Sequence, residues 1–563
     1  MKKKLIKLWA LLLALLMLCG CAEAGAFALR GKTGGEAWAF DSIAYMRPDM
    51  ADMEKAVAEL EQSLKAPELP RNIRERLEHC YSAYNNFYTM YNLADIRSCQ
   101  NTADEYYAAE IAWCMEQEPL MQQLMDRMYR LCAGSAHARQ LEKRYFWEGF
   151  TEQFGAEEAA LPEALYALMQ EEKRLITEYR AALAEPYIEL DGQRLNYEDY
   201  ISGADAGDCF RAMQTFYEQH NGPLAELYIE LIKLRRQQAE LLGYDSYEEM
   251  EYAMYERDYS PEQAELYLES IEKHMAPYYT ELTDRGVMEA MNWKSLSSER
   301  LRHIMAQAAE SMGGEIEKSF EYMLGHRLYD IESRPYKAAV SFQSYLEDYA
   351  SPFIFLDAQG DELDVLSFAH EFGHFADAYI NENAYETTDV AECFSQAMEY
   401  LSLFYLGDAM DQEEKQRLMD YKALDALETY VSQAALARFE SRAYAMPEEE
   451  LNAESLNQLY MDVNRAYGLW EDWDPLQGQD WISVSHLFEY PFYVISYPVT
   501  ADVAGQILAM EQAQPGAGLK KMKSMLRREQ WSFMPLLEDA GLESPFATGS
   551  VERALAGIKA LLD

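Results

Sequence analysis

Apolar residues recur at intervals of three and four along most of the chain, the spacing that lines one face of an α-helix, and helix-boundary residues punctuate them. Ser260-Pro261-Glu262-Gln263 combines an N-cap serine, a proline at the first helical position and a glutamine that closes a capping box. Gly243 ends the run from Leu224 to Leu242 as a residue just past a helix C-terminus does. The main interruption is Tyr187 to Leu195, where Asp191-Gly192 predicts a β-hairpin. A second break, Ser351-Pro352-Phe353-Ile354-Phe355-Leu356, is a short apolar run. It reads as a short strand, or as a buried hairpin strand or helix. The fold class expected is mostly α, multi-helical, with a few short β-strands.

One helical run carries unusual chemistry. Phe368, Phe372, Phe375 and Tyr379 form an apolar stripe, and Phe368-Ala369-His370-Glu371-Phe372-Gly373-His374 places His370 and His374 on the opposite face. Residues four apart on a helix are neighbours, so both imidazoles can reach one Zn²⁺ at about 2.0–2.1 Å. Glu371 lies about 100° further round, where it suits a general base acting on water better than a ligand. A catalytic zinc needs a third protein ligand and an open position. The glycine and third histidine that would continue the motif as in a metzincin are missing, which points to a carboxylate on a later element.

The segment Ala391 to Phe404 reads as a largely apolar helix, yet Glu392, Ser395, Gln396 and Glu399 share one stripe. Buried polar groups need partners. Zinc would serve Glu392, and Glu399 would accept a hydrogen bond from a ligand histidine. The competing reading is a solvated face.

With these residues in view, the chain resembles the thimet oligopeptidase and oligoendopeptidase F family of zinc peptidases. In that family H-E-[FL]-G-H is followed by a helix with an E-x-x-S-x-x-x-E pattern, which Glu392, Ser395 and Glu399 fit. The resemblance implies His370, His374 and Glu392 as ligands of one Zn²⁺ and Glu371 as the base. Leu242-Gly243-Tyr244-Asp245-Ser246-Tyr247, the run from Ser351 to Leu356 with Gly360, which the resemblance implies is a strand with a free edge that pairs with an extended peptide, and His486-Leu487-Phe488-Glu489-Tyr490-Pro491-Phe492-Tyr493 also resemble family segments. The last implies His486 and a tyrosine as donors to the developing oxyanion. Tyr493 is the first choice, ahead of Tyr490 and Tyr497. Many members carry a further histidine where this chain has Asp377, which is expected to orient His374.

The family implies two lobes around a deep central channel that admits short unfolded peptides. Here the lobes would be residues 41–195, a helical N-terminal lobe, and residues 196–563, the zinc peptidase lobe. A monomeric oligoendopeptidase is the expected activity. A zinc carboxypeptidase or dipeptidase on the same scaffold, or a peptide-binding lipoprotein, are the alternatives.

The first residues bear on location. Lys2, Lys3, Lys4 and Lys7 precede a Leu- and Ala-rich run ending Leu18-Cys19-Gly20-Cys21, the form of a secretory signal. L-x-G-C looks like a bacterial lipobox, so residues 1–20 are expected to be removed and Cys21 to carry lipid; plain cleavage nearer Ala24 is the alternative. Residues 21–40 then form a flexible tether, and the body lies outside the cytoplasmic membrane. The formal net charge is −48, or −52 once the four signal lysines are gone. That excludes nucleic acid as a partner and is compatible with cationic peptides. Cys80, Cys99, Cys114, Cys132, Cys209 and Cys393 form no C-x-x-C pattern and do not suggest a disulfide framework.

Overall fold

Helix boundaries follow local capping chemistry. The computed structural model describes residues 38–562 apart from 156–161, 185, 198–199, 202–203, 288–290, 383–386, 470–475 and 529. The expected signal, the expected lipid attachment at Cys21 and the expected tether up to residue 37 lie outside the described residues. Trp38, expected within the tether, packs on His326 and Tyr349, with ring centroids 4.6 and 4.7 Å away, and Phe40 is buried. The body therefore starts by Trp38.

Helices α1 (Ile73–Gln100), α2 (Glu105–Ala133) and α3 (Glu163–Ala184) form the first part. Strands β1 (Tyr187–Leu190) and β2 (Gln193–Asn196) make the expected hairpin. Its turn residues Asp191 (φ 53°) and Gly192 (φ 79°) are both left-handed, as a two-residue turn between right-twisted strands requires. Ile188 and Leu190 pack with Ala212 and Phe216 in a small separate cluster.

Helix α4 (Ala206–Leu242) starts at Asp205, whose side chain accepts the N–H groups of Gly207 and Asp208, and ends at Gly243 with φ 78°. It thus runs back through Pro223, well beyond the Leu224 start of its apolar run. The capping box of Ser260 and Gln263 is present.

Helix α5 (Glu315–His326) leads into a three-stranded sheet of β3 (Tyr329–Asp330), β4 (Phe342–Leu346) and β5 (Ser351–Phe355). The strand order is β3-β5-β4, with β5 parallel to β3 and antiparallel to β4. This corrects the expectation of a free edge on Ser351 to Leu356. All five residues of β5 are buried, and both of its edges are paired. Four apolar residues in a row, Pro352 to Phe355, suit a central strand covered on both faces, which leaves β3 on one edge and β4 on the other. Helix α1 clasps the β4 edge, since Asn92 donates to the Tyr345 carbonyl at 2.7 Å and Thr89 Oγ1 accepts the Asp348 N–H at 2.8 Å.

After the sheet come α6 (Asp364–Ile380), α7 (Thr388–Tyr405), α8 (Gln412–Ala445) and α9 (Ser496–Ala513). One hydrophobic core runs from Phe40 to Ile558. No described helix is long and apolar enough to cross a membrane.

Candidate metal centre and active site

The site begins with how α6 is launched. Asp364 accepts the N–H groups of Gln359 and Gly360, each at 2.8 Å, and closes the turn at Gly360 (φ 80°). Phe368, Phe372 and Phe375 then face the core, while the rings of His370 and His374 sit on the other side, 5.0 Å apart. Helix α7 packs across that side at a distance only a glycine permits. A Cβ on Gly373 would lie 2.6 Å from Ser395 Cα and 2.7 Å from the Phe394 carbonyl oxygen.

This close approach delivers Glu392. Its Oε2 lies 3.6 Å from His370 Nε2 and its Oε1 lies 3.7 Å from His374 Nε2, and one ligand atom from each residue falls within 4.8 Å of the others. Ligand atoms about 2.0–2.2 Å from a tetrahedral ion lie roughly 3.3–3.6 Å from one another, so the trio fits a metal. Two imidazoles and a carboxylate form a donor set suited to zinc.

The polar stripe of α7 is buried rather than solvated, and its members have partners. Ser395 Oγ donates to Glu392 Oε2 at 2.8 Å and Tyr493 donates to Glu392 Oε1 at 2.6 Å. Gln396 donates to the Tyr497 carbonyl at 3.1 Å. His370 Nδ1 meets Glu399 Oε1 at 2.9 Å, which leaves Nε2 facing Glu392. Cys393 is buried on the same helix and is not among the three grouped ligand residues.

Electrostatics follow from this crowding. Burial pulls the His370 pKa down, but the hydrogen bond to Glu399 and the charge of Glu392 outweigh it and carry it to about 9. Burial lowers His374 to about 4. Burial also raises Glu371 to about 7, with His370 acting against it and the carboxylates Glu392 and Glu399 adding to it. Glu371 is 5% exposed and its Oε2 has no protein hydrogen-bond partner. Glu392 stays below the usual range; burial works against this, and the two histidines and Tyr493 overcome it.

His370 and Glu371 lie on the wall of a cavity of about 810 Å³, together with Glu399, His486 and Tyr497. His486 Nε2 is 3.2 Å from the Tyr497 hydroxyl. The segment that carries these donors is held by its backbone. Phe492, at φ 58°, gives its N–H to Glu440 at 2.8 Å, and its carbonyl accepts from Arg257 at 2.7 Å. Arg257 also reaches Ser496 at 2.9 Å and lies 3.8 Å from Asp389 on α7.

Two expectations need correction. Tyr493 spends its hydroxyl proton on Glu392, and it is Tyr497 that lines the cavity; Tyr490 is 50% exposed. Asp377 does not serve His374. Its carboxylate takes two hydrogen bonds from the buried Arg528, at 2.6 and 2.9 Å, and one from Asn381 at 2.8 Å. An arginine fork that meets a carboxylate in both its oxygens is a strong pairing, and nothing near Asp377 in the sequence announces it.

This geometry can be set beside known proteins. The chain matches the peptidase M3 N-terminal domain over residues 40–152 and peptidase family M3 over residues 315–548, more than half of its length and all of the metal site. The chain belongs to peptidase family M3. Among solved structures, this M3 peptidase is similar to a candidate oligoendopeptidase F with a TM-score of 0.79 at 23% identity, covering 94% of this chain and 99% of that one. It is similar to PZ peptidase A with an inhibitor, with a TM-score of 0.80 at 24% identity over 93% and 99% of the two chains. A candidate oligoendopeptidase F from Bacillus anthracis gives 0.75 at 21% identity over 94% and 98%. At these identities the shared property is the mostly α-helical fold. A search of curated proteins finds no match.

Three residues of the M3 peptidase escaped the sequence reading. Gly373 stands inside the motif, but its role depends on α7, which the motif does not mention. Arg257 acts across the chain on a loop far downstream. Lys422 donates to Glu399 Oε2 at 2.6 Å; its sequence signal is a lone lysine followed by Ala423, Leu424, Ala426 and Leu427.

Proposed function

We propose that this M3 peptidase is a zinc-dependent oligoendopeptidase that hydrolyses internal bonds of short, unfolded peptides. The observation that carries the reading is the convergence of His370, His374 and Glu392 beside the unpartnered carboxylate oxygen of Glu371, at the wall of one large cavity. Zinc held by these three residues would polarise the scissile carbonyl and acidify the attacking water. Glu371 takes the proton from that water and delivers it to the leaving nitrogen. In the metal-free site burial raises Glu371 to about 7, which makes it a stronger proton acceptor than an exposed glutamate. Tyr497 and His486, on the cavity wall, donate to the oxygen on which negative charge develops. Tyr493 and Ser395 hold Glu392 in place through its two oxygens.

The cavity supports internal cleavage. At about 810 Å³ it lies in the upper part of the roughly 300–1,000 Å³ spanned by small-ligand pockets, room enough for a stretch of peptide. Among its described lining residues the one Lys or Arg is Lys422, already bound between Glu399 and Asp425. A carboxypeptidase wants a cation for the substrate's terminal carboxylate.

We place the enzyme outside the cytoplasmic membrane, tethered by lipid on Cys21, on the strength of the lysine-led apolar run and Leu18-Cys19-Gly20-Cys21. The test is metal content of the purified chain together with cleavage of an internally quenched peptide, with and without chelator, and mass analysis of the products. One zinc and chelator-sensitive internal fragments are expected. Release of single residues or dipeptides from one end makes it an exopeptidase; zinc without cleavage makes it a peptide-binding lipoprotein.

A further inference from the structure

Behind His370 the hydrogen-bonded path does not stop at Glu399. Glu399 Oε1 faces His370 Nδ1 at 2.9 Å, and its other oxygen receives Lys422 Nζ at 2.6 Å. Lys422 comes from α8, not from either helix of the metal site, and its ammonium also holds Asp425 at 2.6 Å. The residue is 5% exposed and its Nζ stands 5.4 Å from the Tyr400 ring centroid. Three carboxylates, Glu371, Glu392 and Glu399, are buried where α6 meets α7. Lys422 reaches one of them, Glu399.

A long, flexible glutamate does not by itself present one oxygen to an imidazole. It rotates about its last torsion, and a buried carboxylate with an empty oxygen is costly. A donor on the second oxygen removes both problems. With Lys422 on Oε2, Oε1 is the oxygen left for His370, and the imidazole turns Nε2 toward Glu392. Groups behind a ligand that fix its orientation typically change metal affinity about 10–100-fold when removed.

We propose that Lys422 is a positioning residue for the metal centre, acting through Glu399 to orient His370. This rests on the metallopeptidase reading above. The test measures zinc affinity of the full chain by competition with a chromogenic chelator, for wild type, Lys422→Met, Glu399→Gln and the double variant. Lys422→Met weakens zinc binding about tenfold or more, and Lys422→Arg, which keeps a donor on Glu399, recovers most of it. In the Glu399→Gln background Lys422→Met changes affinity less than about twofold, because the path is already cut. Unchanged affinity in folded Lys422→Met overturns the proposal, as does an equal loss with and without Glu399. A lysine that only stabilised the fold would shift melting of the metal-free protein without this non-additivity. If methionine is not tolerated, Lys422→Leu, which likewise has no donor, carries the same test. Failure of wild type to bind zinc would be a failure of the metallopeptidase reading instead, so the two are told apart.

Discussion

Two carboxylates, Glu399 and Asp377, stand in similar relation to the two histidines on paper, yet they do different work. Glu399 reaches His370 across the α6–α7 contact and is steadied by Lys422. Asp377 follows His374 on its own helix and turns away to Arg528. The first pair serves the proposed metal site; the second locks the end of α6 to the C-terminal part of the chain. Adjacency along a helix says which face a residue shares, but a buried cation decides where its carboxylate points.

The comparison can be broken most forcefully at Asp377. Removing one partner of a buried ion pair leaves the other charge stranded, at a cost of about 3–5 kcal/mol, and Asp377 and Arg528 are each 1% exposed at the side chain. Asp377→Ala is therefore expected to lower unfolding free energy by that amount in denaturant titration, while the folded fraction keeps wild-type zinc affinity. A large loss of zinc affinity with unchanged stability would restore Asp377 to the metal site.

Glu399→Gln tests the other arm. Where both rings are unprotonated, zinc affinity should fall about 10–100-fold, and its pH dependence should change as well. In the metal-free protein His370 keeps its proton up to about 9, whereas His374 is neutral above about 4. Metal binding needs both rings unprotonated, so near neutral pH one proton must leave, from His370. Affinity therefore rises with pH, by up to about tenfold per unit, and levels off near 9. After the burial that pulls it down, the hydrogen bond to Glu399 is the largest influence on His370 and raises its pKa. Without that carboxylate the levelling-off moves to lower pH; in Asp377→Ala it stays near 9. Titrations of zinc affinity against pH read both.

Much of this architecture is legible from local chemistry. The α6 stripe, the capping box at Ser260, the end of α4 at Gly243 and the Asp191-Gly192 turn depend on residues within a few positions of one another. The metal-facing sides of α6 and α7 are likewise a matter of helical period. What stays hidden is set by partners far along the chain. Whether Ser351 to Phe355 is an edge or a centre depends on two other strands. Tyr493 and Tyr497 are separated in role by a loop that Arg257 and Glu440 fold into place. Gly373 is needed because of Ser395 and Phe394, and no spacing within α6 reveals that.

The central claim is that Glu371 is the base beside a metal held by His370, His374 and Glu392. Glu371→Gln tests it most directly, because the amide keeps the shape of the carboxylate and removes only its basicity. Measured side by side for metal content and for turnover of an internally quenched peptide, the variant should retain one zinc per chain and lose turnover by about 100-fold or more. Retained turnover with zinc in place would contradict the account.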